Sequence, residues 1–272
     1  MLVRGNFTCT CNNPTIGIHR SFHFGRCPGT LWETWAEGVI VALAGSGEFL
    51  PSMTDVDREL LRLAPGNRVA ILPTAAGLED PAAWGRMGVA HFDPLGARAT
   101  HVPLHRRQDA LDPLILNALA ASDLFYFSGG LPDHLVDSLL GSPAWDVISG
   151  RLAAGAAIAG CSAGAMALGG WTVRVAVQPW GWQPGLGLLP GWALLPHFDR
   201  TPPGRPRAIE EMLAALPPVE HLLGIDEHTV LLWDGEGWSV RGPGRVVNVR
   251  SEQVFRAPSQ LPLPAPVPAI PI

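Results

Sequence analysis

The chain contains no lysine: all 19 of its basic residues are arginine. That absence removes a Ser–Lys dyad, a Schiff-base lysine and a phosphate-loop lysine from the chemistry open to it. Charge of either sign is sparse, at 16% of residues, and the net charge is −5. With no basic excess there is no electrostatic case for nucleic acid or an anionic membrane as partner. Cysteine is scarce as well. Cys9, Cys11 and Cys27 sit near the start and Cys161 far downstream, which gives no disulfide framework and fits a reducing, cytoplasmic compartment. No basic-then-apolar leader opens the chain. Cys9, Cys11, His19, His23 and Cys27 match no zinc-ligand spacing. Residues 1–36 are therefore expected to be a poorly ordered extension, and no metal or organic cofactor is implied.

One long uncharged run is present, Leu152 to Val173. It is long enough to span a membrane, but Gly155, Gly160, Gly164, Gly169 and Gly170 break it into helix end, strand, turn and helix. From Gly38 onward short apolar runs alternate with segments of helical period. Strands are expected at Val39–Leu43, Arg68–Thr74, Ala97–Pro103, Leu124–Phe127 and Ala156–Ala159. Helices are expected at Thr54–Ala64, Pro81–Phe92 and Asp109–Ala121, from Pro132, and at Trp145–Ala154. Such alternation predicts right-handed βαβ units, an α/β fold with a doubly wound, mostly parallel sheet between two helical layers. Downstream the pattern changes. Val175–Pro196 carries no charge but several prolines and tryptophans and reads as a shaped loop over the site; a helix is expected from Arg205 to about Leu216. Leu222–Leu232 reads as one strand interrupted by Asp226-Glu227-His228, and Gly237–Val249 as part of a hairpin. One domain over 37–250 is expected, followed by a Pro-rich tail, 251–272, extended and without packed structure.

The densest chemical signal is Gly160-Cys161-Ser162-Ala163-Gly164, placed between an apolar strand and a small-residue helix. A serine between two glycines at such a junction is a nucleophile elbow, which lifts the hydroxyl above the sheet. Cys161 is off the central position and is expected to point into the core. Gly129-Gly130 ends the preceding strand, so the N–H of Gly130 or Leu131 can join that of Ala163 around an oxyanion. The Gly45-Ser46-Gly47 turn lacks the third glycine of a dinucleotide-binding loop. A serine needs a base and the base an orienting acid. His197 closes the apolar stretch after the elbow and is the favoured base. From Val147 to Phe198 there is no Asp or Glu, so the Ser–acid–His order of the α/β-hydrolases cannot be built with this histidine. The acid must follow the base, with Asp199, Asp226 and Glu227 the nearest options; the strand period does not choose between Asp226 and Glu227.

Phe127-Ser128-Gly129-Gly130, the elbow with Ala165, His197-Phe198 and Gly224-Ile225-Asp226-Glu227-His228-Thr229 occur in the order seen in the S51 serine peptidases, which this chain resembles from about Gly38 to Val249. These are the cyanophycinase and dipeptidase E relatives. The resemblance implies a class I glutamine amidotransferase-like, flavodoxin-like fold. It also implies a triad of Ser162, His197 and Glu227, with Gly130 and Ala163 as oxyanion donors. Leu131-Pro132 and Leu195-Pro196 stand where cyanophycinases carry polar residues that grip β-aspartyl-arginine. Arg200, Arg205 and Arg207 loosely match the family's arginine cluster and are the candidates for binding an acidic group or a C-terminal carboxylate. The function expected is hydrolysis of small peptides through an acyl-enzyme. The alternatives are a catalytically silent ligand-binding relative, and an esterase or acyltransferase using the same triad. A small peptide is the expected partner, and a homodimer is compatible with the sequence.

Overall fold

The computed structural model describes residues 38–176, 180–200 and 214–266. Strand β1 (Ile40–Ala44) is apolar and buried along its whole length. It is followed by α1 (Thr54–Leu63), β2 (Arg68–Leu72), α2 (Pro81–Phe92), β3 (Arg98–His101), α3 (Pro113–Ala120) and β4 (Leu124–Phe127). Then come α4 (Pro132–Leu139), α5 (Pro143–Ala153), β5 (Ala157–Cys161) and the short α6 (Ala163–Leu168). The helix starts are written locally. Asp80, Asp112 and Ser142 accept the N–H of Ala83, Leu114 and Trp145, and each is followed by a proline at the first helical position. A proline there gives up an N–H that the helix could not use, while the cap satisfies one that it leaves orphaned.

The five strands β1 to β5 lie parallel, with β5 between β1 and β4, then β2, then β3 at the edge. Parallel pairing buries both faces, and the side chains divide accordingly. Val41, Leu43, Phe125, Phe127 and Ile158 face α3, α4, α5 and α6. Ile40, Ala42, Ala44, Tyr126, Ala159 and Cys161 face the opposite way, with Leu60 of α1 and Phe92 of α2. This is the expected three-layer α/β architecture of flavodoxin-like type, in one domain. The charge-free run 152–173 is the end of α5, then β5, α6 and most of β6 (Gly169–Arg174). No helix among the described residues is long and apolar enough to cross a membrane.

Beyond α6 the chain builds more than the sequence suggests. The segment 175–196, expected as a loop, contains β7 (Gly181–Pro184) and β8 (Leu189–Leu195). The run 222–232, expected as one strand, is two. β9 (His221–Ile225) and β10 (Val230–Trp233) belong to different sheets, and the polar trio is the passage between them. β10 and β11 (Trp238–Arg241) extend the first sheet antiparallel beside β1. β6, β7, β8 and β9 form a second sheet with β12 (Arg245–Asn248) and β13 (Gln253–Arg256). Its side chains Leu189, Trp192, Leu194, Leu223, Ile225 and Val246 enter the same core as one face of the first sheet. Within the tail, residues 251–266 are packed, where no packed structure is expected. β14 (Gln260–Leu261) pairs with β11, Leu261 is buried, and Pro264 O accepts the indole N–H of Trp238 at 2.8 Å. Residues 1–37, with the early cysteines and histidines, lie outside the described residues, as do Arg205, Arg207 and most of the helix expected there.

Candidate active site

In a parallel sheet the carboxyl ends of the strands converge on one rim, and ligands meet the protein there. Here the turns after β1, β4 and β5 share that rim. Ser162, immediately after β5, has φ +51° and ψ −113°. A non-glycine residue there carries strain of order 1–3 kcal/mol, tolerated only where the surroundings hold it. They do. Ser162 N–H donates to Ala44 O of β1 at 2.9 Å, and Ser162 O accepts the N–H of Met166 in α6 at 3.0 Å. The flanking glycines are steric necessities. A methyl on Gly164 would sit 2.4 Å from Phe127 O, and one on Gly160 would sit 2.6 Å from Ala165 N.

The hydroxyl reaches its expected partner. Ser162 Oγ lies 3.0 Å from His197 Nε2, and His197 Nδ1 lies 2.9 Å from Glu227 Oε1. His197 lies two residues past the end of β8. Its φ is +51°, and its N–H approaches Gly45 O at 3.3 Å while Phe198 N–H donates to Ile225 O at 3.1 Å. Glu227 lies in the turn after β9, and each of its polar groups is engaged. Oε1 faces the imidazole, Oε2 lies 3.1 Å from Arg200 Nε, and its N–H donates to Asp199 Oδ1 at 2.8 Å. The neighbouring acids point in different directions. Asp226 turns the other way, buried, and accepts from the N–H and Nε of Arg245 at 2.9 and 2.8 Å. That contact raises the Arg245 guanidinium pKa further above its ordinary value. Asp199 braces the backbone of Glu227 and does not fold back onto the histidine.

The amides around the serine are unequally occupied. Leu131 N–H is spent on Ala75 O at 2.8 Å, and Gly129 N–H donates to Glu48 Oε1 at 2.7 Å. Gly130 N–H makes no hydrogen bond among the described residues. Gly130 has φ +135°, and a methyl there would meet Ala75 O at 2.3 Å, so only glycine fits. Ala163 is the first residue of α6, where helix geometry leaves the N–H without an intrahelical acceptor. Gly45 N–H is likewise taken, by Thr229 O at 2.9 Å.

Of the expected site residues, the structure brings together Ser162, His197, Glu227 and Arg200, and sets Gly130 and Ala163 at the strand ends beside the serine. Cys161 points into the core, as expected, and donates from Sγ to Glu48 Oε2 at 2.9 Å. Burial, and then the negative charge of Glu48, push its thiol well above the ordinary value. It is therefore no competitor of the serine as nucleophile. Glu48 was missed from sequence. Its only signal is an acidic residue just past the turn that ends the first apolar strand. No cluster among the described residues has the ligands for a metal ion.

The model of peptidase family S51 matches residues 40–241. Among solved structures, a peptidase from an acI-B1 Actinobacterium is similar at 31% identity. The alignment covers 82% of this chain and 96% of that one, with a TM-score of 0.76. A protein assigned to peptidase E in Listeria monocytogenes EGD-e shares the fold at 20% identity, over 76% of this chain and 99% of that one, with a TM-score of 0.55. Comparison with curated proteins finds no match.

Proposed function

The chain belongs to peptidase family S51 and is a serine peptidase, and from that premise we propose that Ser162, His197 and Glu227 cleave small peptides through an acyl-enzyme. The observation that carries this reading is the unbroken line from Ser162 Oγ to His197 Nε2 at 3.0 Å and from His197 Nδ1 to Glu227 Oε1 at 2.9 Å. His197 takes the hydroxyl proton as Oγ attacks the peptide carbonyl carbon. Glu227 holds the Nδ1–H tautomer and stabilises the imidazolium. The carbonyl oxygen, now an oxyanion, is received by the N–H groups of Gly130 and Ala163. The imidazolium gives its proton to the departing amine. Water, activated by the same histidine, then releases the acid and restores the serine.

The substrate class is a dipeptide or a short peptide cut at its end, as in dipeptidase E and cyanophycinase. Leu131-Pro132 and Leu195-Pro196 put apolar groups where a β-aspartyl-arginine chain is gripped by polar ones, which favours a substrate other than cyanophycin. Arg200, mostly exposed beside Glu227, is the proposed anchor for an acidic side chain or a C-terminal carboxylate, together with Arg205 and Arg207. The test is mass spectrometry after fluorophosphonate treatment. A single adduct on Ser162 is expected, absent from Ser162→Ala, whose peptidase rate falls by about 10³-fold or more. No adduct on folded wild-type protein would instead favour a silent ligand-binding relative. Paired ester and peptide panels separate a peptidase from an esterase.

A further inference from the structure

We propose that Glu48 is a positioning residue for the oxyanion pocket, its carboxylate tying the glycine turn after β4 to the elbow after β5 and thereby setting the spacing of the Gly130 and Ala163 amides. The proposal rests on the reading of those two amides as the oxyanion donors.

Glu48 follows the turn after β1 and is 8% exposed. Its two oxygens have separate tasks. Oε1 accepts the N–H of Gly129 at 2.7 Å, and Oε2 accepts the S–H of Cys161 at 2.9 Å. Gly129 is the residue before one proposed donor, and Cys161 is the residue before the nucleophile. The two turns lie against each other: a methyl on Gly129 would be 3.5 Å from Ser162 Cβ. Yet the sheet does not fasten them together. The β4–β5 ladder ends at the pair Phe127 and Gly160, so Gly129, Gly130, Ser162 and Ala163 all lie beyond it. One buried carboxylate, anchored beside a third strand end, spans that gap.

An oxyanion hole works only if its donors are already 2.7–3.1 Å from the place the charged oxygen will occupy. A displacement of about 1 Å in such a constellation costs about 10²-fold in rate. A carboxylate suits this position because it has two acceptor oxygens and can receive both donors at once. A glutamine has one acceptor oxygen and would keep only the Gly129 arm. Cys161, buried and protonated, has in this account the task of supplying the second donor.

The test uses the full chain and the rate constant for fluorophosphonate labelling of Ser162, with p-nitrophenyl acetate turnover beside it. Rate constants are chosen because misfolding lowers the extent of labelling, whereas a displaced donor lowers its rate. Glu48→Ala is expected to label about 30- to 100-fold more slowly, with kcat for the ester falling in parallel and KM little changed. The conservative Glu48→Gln should recover most of this, to within about 3- to 10-fold of wild type, with the pH at which labelling is half-maximal unmoved. If Glu48→Ala does not fold, Glu48→Gln carries the test: a rate several-fold below wild type supports the proposal. Labelling of either folded variant at the wild-type rate overturns it. Wild-type protein that takes no label on Ser162 would fail earlier and differently, by removing the triad reading itself.

Discussion

Glu227 and Asp226 are adjacent in sequence, and their partners separate them into different jobs. The Glu227 carboxylate touches the imidazole with one oxygen and Arg200 with the other, while Asp199 holds its backbone N–H. The carboxylate is therefore held at both oxygens, and the backbone that carries it is fixed separately. Asp226 is held by Arg245 alone among charged side chains within the described residues. Glu227→Gln is expected to lower peptidase kcat by about 10³- to 10⁴-fold with little change in melting temperature. Asp226→Asn should do the reverse, costing about 2 kcal/mol of stability through the lost charged hydrogen bonds and leaving kcat within a few-fold. Steady-state kinetics and thermal melts of both variants check this. A collapse of kcat in the Asn variant would show that the division of labour is wrong. At this scale the elbow was legible because its glycines answer to contacts that any strand–turn–helix junction makes. Glu48 was not, since its partners lie 81 and 113 positions away. Nor was the choice of acid, which depends on how the chain turns after Ile225.

Among the elements, β3 carries the edge of the first sheet, and His101 at its end meets His105, their Nε2 atoms 3.1 Å apart and their rings stacked. Burial holds both imidazoles below their ordinary pKa. The His105 and Arg86 charges push His101 further down, while Asp109 works against Arg106 at His105. A histidine whose folded pKa is depressed contributes stability that is present above the unfolded value, about 6.5, and is lost as pH falls through the folded one. Denaturant melts should therefore show stability falling as pH drops below about 6.5, by an amount that shrinks when both residues are replaced by glutamine. An equal drop in the double variant would sink this account. The parallel strands β1, β2, β4 and β5 were readable as apolar runs because each is buried on both faces. β8 was not, for a local reason. Pro190 and Gly191, the latter at φ +73°, sit inside it, and its pairing with β6 slips register between Gly169 and Trp171. A proline and a bulge are what a loop also looks like.

At the scale of the molecule, the second sheet and the tail complete a core that the first five strands leave open. Leu261 is 5% exposed against Trp238, itself fully buried and hydrogen-bonded to Pro264 O. Ending the chain at Ser259 removes that buried leucine and the indole's acceptor, a loss of about 3 kcal/mol. For a domain of this size the melting temperature should fall by about 6–12 °C in a thermal scan. An unchanged melt would mean that the tail only lies on the surface. Its packing was hidden in sequence because prolines and single apolar residues give no period; only the register with β11 makes a strand of Gln260 and Leu261. The larger arrangement has a consequence for how the enzyme reports on itself. The proposed nucleophile, Ser162, is carried by the first sheet, at the end of β5, whereas the proposed base and acid, His197 and Glu227, follow β8 and β9 of the second. The 3.0 Å between the Ser162 hydroxyl and the His197 imidazole is thus a gauge stretched across the seam of two sheets that share one core, and a substitution that shifts one sheet against the other is expected to lower turnover before it unfolds the chain.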